Sequence, residues 1–403
     1  MSKKQVVSIM IVITFLSIFS CMAFSSTVYS VPKIDGASAV LLEAERGQIL
    51  FKKNETQRLH ISSASKVMTA LIVLEKIKLD TKVTISKEAA GVKGSILSLE
   101  AGEKFYAEDL INTIMLTSAN DAATALAEHV SGDSFKFADA MNAKAQELKM
   151  KDTKFVNPTG LYDAAQYTTA QDLAKLMQYA LKNPNFNRIF GNKGQPFNSK
   201  ILTSSNKLLW SYPGVDGGKA GYNEKNKQTA ITSATRNQQR LIAIVLDSPE
   251  EKVWMDSANL LNYGFDNFIT SSLAGREQVL RRVSVGDKTI GLTSLNDILY
   301  VHPKGESFIR SVEFKVPQDL KPPIGKSNPV GKVTYVLMDG NVIDIPLYSD
   351  TEIQLEKGFL SNLFEKLKET RDLLIAVIVL ILIEVLLIVR KFYRFMKNRV
   401  HKN

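Results

Sequence analysis

Apolar residues in the first two thirds of the chain follow two spacings. Short apolar runs flank polar turns at both ends of this region and predict two β-hairpins, residues 38–44 with 48–51 and residues 228–234 with 240–247. Between the hairpins, helical spacing recurs over residues 67–77, 107–116, 121–130, 134–148 and 170–181. This order predicts one β-sheet closed by distant segments and flanked by helices, in an α/β or α+β domain over residues 34–273.

The helical spacing nearly disappears beyond residue 272. Short alternating segments bounded by turn residues follow, at residues 279–285, 288–292, 297–301, 308–316, 330–338 and 341–346. They predict a small all-β domain over residues 277–352. A charged amphipathic pattern then predicts a stalk or membrane-surface helix over residues 353–370.

Apolar segments beside basic residues lie at both ends of the chain. Lys3 and Lys4 precede an apolar run that ends in small residues, which predicts a secretory signal over residues 1–30, with an uncleaved anchor as the alternative. Near the other end, the apolar pattern predicts a transmembrane helix over residues 371–391, interrupted by Glu384. The basic tail over residues 392–403 would stay in the cytoplasm. The domains between would then lie on the outer side of a plasma membrane.

Composition and charge narrow the range of partners. The chain has 403 residues, 45% hydrophobic and 23% charged, which is typical of an ordered protein with room for two domains. Of the net charge of +10, two come from Lys3 and Lys4, six come from cations after residue 389, and only two remain between. We therefore predict no nucleic-acid partner. Cys21, the only cysteine, lies in the signal segment, so no disulfide is expected and lipidation of Cys21 is a minor alternative.

Several kinds of chemistry are absent from the sequence. The four histidines are scattered without metal-ligand spacing, and no G-x-S-x-G motif or phosphate-binding glycine loop is present. We therefore predict no metal and no cofactor. Lysine is the remaining candidate for a general base.

A serine cluster stands just before Lys66, at the start of a helical pattern. Serines here could cap the helix, or Ser63 could be a nucleophile, because residues three apart share a helix face with Cβ atoms ~5–6 Å apart. A lysine that burial or another cation keeps neutral can accept the serine proton. The same spacing recurs at Ser204 and Lys207, where the short run before a proline predicts a structural role.

Two further motifs accompany the first copy. Ser118-Ala119-Asn120 lies between two helical segments, and Lys219-Ala220-Gly221 leads into the late hairpin. The order S-x-x-K, S-x-N, K-[T/S]-G marks the penicillin-recognising serine enzymes. The surrounding segments, such as "GSILSLEAGEKFYAEDLINTIMLTSANDAATALAEH" and "YPGVDGGKAGYNEKNKQTAITSAT", resemble the low-molecular-mass penicillin-binding proteins, the D-alanyl-D-alanine carboxypeptidases.

The resemblance implies a transpeptidase-like catalytic domain and a role for each motif residue in acyl transfer. Ser63 would form the acyl-enzyme with Lys66 as its general base, and Ser118 would relay a proton to or from the leaving D-alanine. The backbone N–H groups of Ser63 and Tyr222 would form the oxyanion hole. The implied substrate is a peptidoglycan stem peptide ending in D-Ala-D-Ala, with β-lactams as inhibitors.

The same resemblance implies how substrate is held. Asn120 would bind the substrate's peptide carbonyl, and Lys219 would face its terminal carboxylate beside Gly221. Ala220 stands where the family usually has threonine or serine, so one hydroxyl for that carboxylate is missing. The alternatives are a β-lactamase, although no E-x-x-L-N motif lies between Ser118 and Lys219, and a catalytically weak wall-binding or scaffolding protein.

Overall fold

The computed structural model describes residues 31–222, 227–354 and 371–400, together with residues 363 and 366. The predicted signal segment and most of the predicted stalk lie outside the described residues. The chain divides into two compact units: one extends to residue 271 and includes residues 300–306, and the other comprises residues 272–299 and those from 307 onwards.

The first unit is built around a five-stranded antiparallel sheet. Its strands and those of two small hairpins are β1 (Ser38–Glu43), β2 (Ile49–Lys53), β3 (Lys82–Thr84), β4 (Lys104–Tyr106), β5 (Gly194–Phe197), β6 (Lys200–Thr203), β7 (Val215–Tyr222), β8 (Gln228–Arg236) and β9 (Gln239–Ser248). The main sheet has the order β2-β1-β9-β8-β7. Strand β1 pairs with β9, with Ala39 opposite Val245. The predicted closure of the sheet by distant segments is confirmed.

Nine helices of the first unit are described. They are α1 (Ser65–Lys76), α2 (Lys87–Ala90), α3 (Ala107–Leu116), α4 (Asn120–Ser131), α5 (Ser134–Glu147), α6 (Ala170–Ala180), α7 (Pro184–Phe190), α8 (Leu208–Ser211) and α9 (Lys252–Asn267). The five predicted helices are α1 and α3 to α6, and the bounds of α3 agree with the prediction. Helix α9 was not predicted, although Val253, Leu260 and Leu261 lie at helical spacing and are fully buried.

Both faces of the sheet are covered, which explains why β1 reads as an uninterrupted apolar run. Alternate side chains of a strand point to opposite faces. Val40 and Leu42 pack in the cluster that contains α1, whereas Ala39 and Leu41 pack in the cluster that contains α9. The helices that carry the first two motifs are therefore held on one face of the sheet.

The second unit contains mainly β-structure, as predicted. The remaining strands of the chain, two of which (β10 and β13) lie largely in the first unit, are β10 (Phe268–Ala274), β11 (Val279–Val285), β12 (Lys288–Thr293), β13 (Ile298–Pro303), β14 (Ile309–Lys315), β15 (Pro329–Leu337) and β16 (Val342–Ser349). Five of them form an antiparallel sheet in the order β11-β12-β16-β15-β14.

Helix α10 covers Arg371–Val400. Among the described residues, no helix meets the combined length and hydropathy needed to cross a membrane, so the predicted transmembrane helix is not confirmed.

Candidate active site

Ser63 lies in a short turn that runs directly into α1. Residues Ser62–Ala64 form one turn of 3-10 helix, and Ala64 keeps helical dihedral angles as the cap residue of α1. Neither the 3-10 turn nor α1 has a side-chain hydrogen bond at its N-terminal cap. The helix-cap interpretation of the serines is therefore wrong. Ser63 is half-buried, whereas Ser62 and Ser65 are buried.

Lys66, which the sequence predicts to be the general base, is buried. Its side chain is 1% exposed, and Nζ donates to Asn120 Oδ1 at 2.7 Å and to the Thr159 carbonyl. Burial, followed by the charge of Lys219, holds the pKa of Lys66 well below its ordinary value of 10.5, and Asp121 opposes this only in part. A neutral amine has two N–H groups and one lone pair. Lys66 Nζ has two acceptors here, so the neutral amine that general-base catalysis requires would use both N–H groups on them and keep its lone pair for a proton.

Lys219 and Ser118 form a second buried pair. Lys219 Nζ donates to Ser118 Oγ and, at 2.7 Å, to the Ala220 carbonyl. Burial lowers the pKa of Lys219 to about 7. Ser118 lies between α3 and α4 at a φ of 62°, a left-handed conformation that side chains other than glycine adopt rarely. Strained backbone of this kind is frequent at active sites.

The motifs meet at a cavity of about 260 Å³. Its lining includes one residue from each motif region: Ser63, Asn120 and Tyr222. The others are His60, Gly94, Ser95, Thr159, Gly160, Leu161 and Tyr162. Residues predicted from three separate stretches of sequence therefore share one site.

The outer edge of β7 faces the turn that carries Ser63. A Cβ added to Gly221 would lie 2.5 Å from Ser63 Cβ and 3.1 Å from Ser62 Oγ, so only glycine allows this approach. Tyr222 accepts a hydrogen bond from Ser62 Oγ through its carbonyl. The N–H and C=O of one strand residue point to the same side. The Tyr222 N–H therefore faces the nucleophile turn, which suits the predicted oxyanion hole.

The second S-x-x-K sequence has a structural role, as predicted. Asn206 is fully buried and donates to Thr232 Oγ1 at 2.9 Å, which joins its loop to β8. Ser204 Oγ accepts from the Asn206 backbone N–H at 3.3 Å. Lys207 forms an exposed ion pair with Glu251 at 2.9 Å. None of these contacts places a hydroxyl beside a buried amine.

The sequence analysis assigned no role to the loop that contacts Lys66, although its segment TKFVNPTG is among those that resemble the family. The Thr159 carbonyl accepts from Lys66, and Gly160 has a φ of 77° and packs against the Ser62 carbonyl. Asn157 Oδ1 fixes this loop by accepting from the N–H groups of Thr159, at 3.2 Å, and Gly160, at 2.8 Å. The Asn-Pro-Thr-Gly turn residues were the available signal.

The site combines a half-buried serine with a buried lysine three residues later, a pair that acyl transfer by a serine nucleophile can use. Within the described residues, no group of three or more His, Cys, Asp or Glu side chains could hold a metal ion. The fold and the site together define a serine hydrolase with a buried lysine three residues after the predicted nucleophile.

Comparison with known proteins specifies this class further. The D-alanyl-D-alanine carboxypeptidase family, peptidase S11, matches residues 25–250, and the C-terminal domain of penicillin-binding protein 5 matches residues 268–355. This chain belongs to the peptidase S11 family, and the resemblance seen in its sequence is confirmed.

Curated and solved relatives agree with this assignment. The D-alanyl-D-alanine carboxypeptidase DacF of Bacillus subtilis (strain 168) is 34% identical over 82% of this chain and 88% of its own length. DacD of Escherichia coli (strain K12) is 31% identical over 84% of this chain and 90% of its own. The solved penicillin-binding protein 5 of Haemophilus influenzae is 30% identical, with a TM-score of 0.69 over 81% of this chain and 99% of its own.

Proposed function

We propose that this protein removes the terminal D-alanine from peptidoglycan stem peptides through an acyl-enzyme on Ser63, and that β-lactams acylate the same serine. The observation that carries the proposal is the buried Lys66, with its lowered pKa, three residues after a half-buried serine that lines a cavity beside the end of β7. The carboxypeptidase names of the relatives support the choice of substrate.

The geometry supports a two-step reaction. Ser63 Oγ attacks the carbonyl carbon of the penultimate D-alanine while Lys66 Nζ takes its proton, and the N–H groups of Ser63 and Tyr222 stabilise the oxyanion. The C–N bond then breaks, and the departing amine of the terminal D-alanine takes a proton through Ser118, which contacts Lys219. Water hydrolyses the remaining ester, which restores Ser63.

Recognition of the terminal carboxylate depends on Lys219. Since its pKa is about 7, the ammonium that pairs with the carboxylate loses its proton as pH rises through that value. We expect kcat/KM for an acyl-D-Ala-D-Ala substrate, divided by that for its C-terminal amide, to fall between about pH 6 and about pH 9, since kcat/KM follows groups of the free enzyme. The titration of Lys66 affects kcat/KM for both substrates in the same way and therefore cancels in the ratio. A ratio that stays constant would exclude this role of Lys219.

Ala220 is expected to limit recognition of the same carboxylate. It is 7% exposed and lacks the hydroxyl usual at this position of the family. Ala220→Thr should raise kcat/KM on the free acid about 10-fold, if the new contact contributes ~1.4 kcal/mol in the transition state. The amidated substrate should gain little. Equal gains on both substrates, or none on either, would refute the explanation.

Mass measurement of a pentapeptide product tests the proposed function. Incubation of a stem pentapeptide with the purified protein should remove one alanine, and Ser63→Ala should leave the peptide intact. Loss of alanine with both proteins at the same rate would show that Ser63 is not the nucleophile. An unchanged peptide with the wild-type protein would contradict the proposed activity.

We further propose that the C-terminal segment attaches the enzyme to the outer face of a plasma membrane. The proposal is supported by the basic flank after residue 389 and by exposed apolar side chains along α10, such as Leu380 and Leu386. A protein truncated after Glu352 should be soluble and still react with penicillin, because all three motifs precede residue 272. The full chain should stay with membranes through salt and carbonate washing. Release of the full chain by these washes would contradict the anchor.

A further inference from the structure

Ser62, which directly precedes the nucleophile, has an unusual backbone conformation. Its φ is 54°, and the residue is 1% exposed. The left-handed region is unfavourable for a residue with a Cβ unless the surrounding structure holds it. Glycine would adopt this conformation without strain, so the presence of serine points to a use for its side chain.

Two polar contacts hold this conformation. The Ser62 hydroxyl donates to the Tyr222 carbonyl, and the Ser62 backbone N–H donates to His60 Nδ1 at 3.2 Å. The His60 ring in turn contacts the Tyr162 ring, with centroids 5.2 Å apart. The first contact joins Ser62 to the end of β7, and the second joins it to His60, two residues earlier in the chain.

The hydroxyl contact joins the two parts that would supply the oxyanion hole. Tyr222 is the last residue of β7, which is the edge strand of the sheet. The bond from Ser62 therefore fixes the end of this strand, and the Tyr222 N–H, relative to the turn that presents the Ser63 N–H. Gly221 allows the strand to come this close to the turn, and the bond from Ser62 fixes where the end of the strand lies along the turn. Oxyanion donors are effective only when they are held in place before charge develops.

We propose that Ser62 is a positioning residue for acyl transfer: its hydroxyl, supported by the His60 ring, holds the backbone donors of Ser63 and Tyr222 in the arrangement that receives the oxyanion. This inference rests on the proposed function and adds a residue outside the three motifs. Ser62 would act through its neighbours, whereas Ser63 itself reacts with the substrate.

Three serine variants test the role of the hydroxyl. Ser62→Ala removes it and keeps the backbone restriction, whereas Ser62→Gly removes it and relieves the left-handed strain. Both should lower kcat for D-Ala-D-Ala cleavage and the rate of penicillin acylation about 10-fold, with KM and melting temperature little changed, because the contact acts in the transition state. The matched control is Ser65→Ala. Ser65 is buried one residue from the same turn, and its hydroxyl has no hydrogen-bond partner among the described residues. This variant should react like the wild type.

A second pair of variants tests the support from His60. Asparagine can accept the N–H of the residue two positions later through its own side chain. His60→Asn should therefore retain most of the acylation rate, whereas His60→Phe, which keeps a ring beside Tyr162, should lower it. Loss of rate to the same extent in both would count against the contact with the Ser62 N–H.

The outcomes separate this inference from the function on which it rests. If the wild type reacts and Ser62→Gly reacts equally fast with a higher melting temperature, the hydroxyl has no positioning role and the inference is overturned. If Ser62→Ala fails to fold, Ser62→Gly decides the question, because it adopts the left-handed turn more easily. A wild-type protein that neither binds penicillin nor trims the pentapeptide would overturn both.

Discussion

Replacement of Lys66 by methionine is expected to slow acylation by penicillin about 10³-fold, within the range that general-base catalysis contributes. Methionine fills a similar volume but cannot accept the proton of Ser63. Burial, followed by the charge of Lys219, lowers the pKa of Lys66. Its two hydrogen-bond acceptors, Asn120 Oδ1 and the Thr159 carbonyl, are uncharged, so the substitution breaks neither of these contacts as an ion pair. The rate of labelling by a fluorescent penicillin measures the effect directly.

Lys76→Met is the matched control for this variant. Lys76 lies on the same helix, in its last turn, and is exposed. The Lys76→Met variant should be acylated at the wild-type rate. If Lys66→Met folds and is acylated within a few-fold of wild type, another group removes the serine proton and the assignment of Lys66 is wrong.

Gly221→Ala is expected to lower the acylation rate about 10²-fold, comparable to the loss of one oxyanion-hole donor. The new Cβ would lie 2.5 Å from Ser63 Cβ, far inside the ordinary contact distance of ~3.5–4 Å between carbon atoms. Either β7 or the nucleophile turn must move, and the Tyr222 N–H moves with the strand. Measurement of acylation together with thermal unfolding separates a displaced site from an unfolded protein.

Gly325→Ala provides the control for Gly221→Ala. A Cβ at Gly325 would meet no atom within 4 Å, and its φ lies outside the left-handed range. This variant should keep both its acylation rate and its melting temperature. Wild-type acylation by Gly221→Ala would show that the edge of β7 is not held as closely to Ser63 as the structure indicates.

The sequence was sufficient where side-chain spacing alone determines structure. The apolar spacing in α3 predicted its bounds, and the apolar runs of β1 and β9 predicted a sheet closed by distant segments. Strand β7 was harder to recognise because glycines replace the apolar residues typical of strands. Gly217 packs against Phe190 and Gly218 against Asn206, so these positions have no space for the side chains on which the pattern depends.

The motifs predicted the site residues that they contain, but not the backbone groups around them. Lys66 with Asn120 and Lys219 with Ser118 are in direct contact, as expected for residues of one site. The Thr159 carbonyl could not be identified from side-chain chemistry, because any residue carries the same carbonyl. The left-handed conformation of Ser62 was equally hidden, since serine rarely adopts it.

The most direct test of the central claim is peptide mapping of the adduct formed with labelled penicillin. The label should be found on the peptide that contains Ser63 and persist long enough to be isolated, as expected for a carboxypeptidase and not for a β-lactamase that hydrolyses its acyl-enzyme rapidly. A label on the peptide that contains Ser204, or no label on the folded protein, would contradict the account.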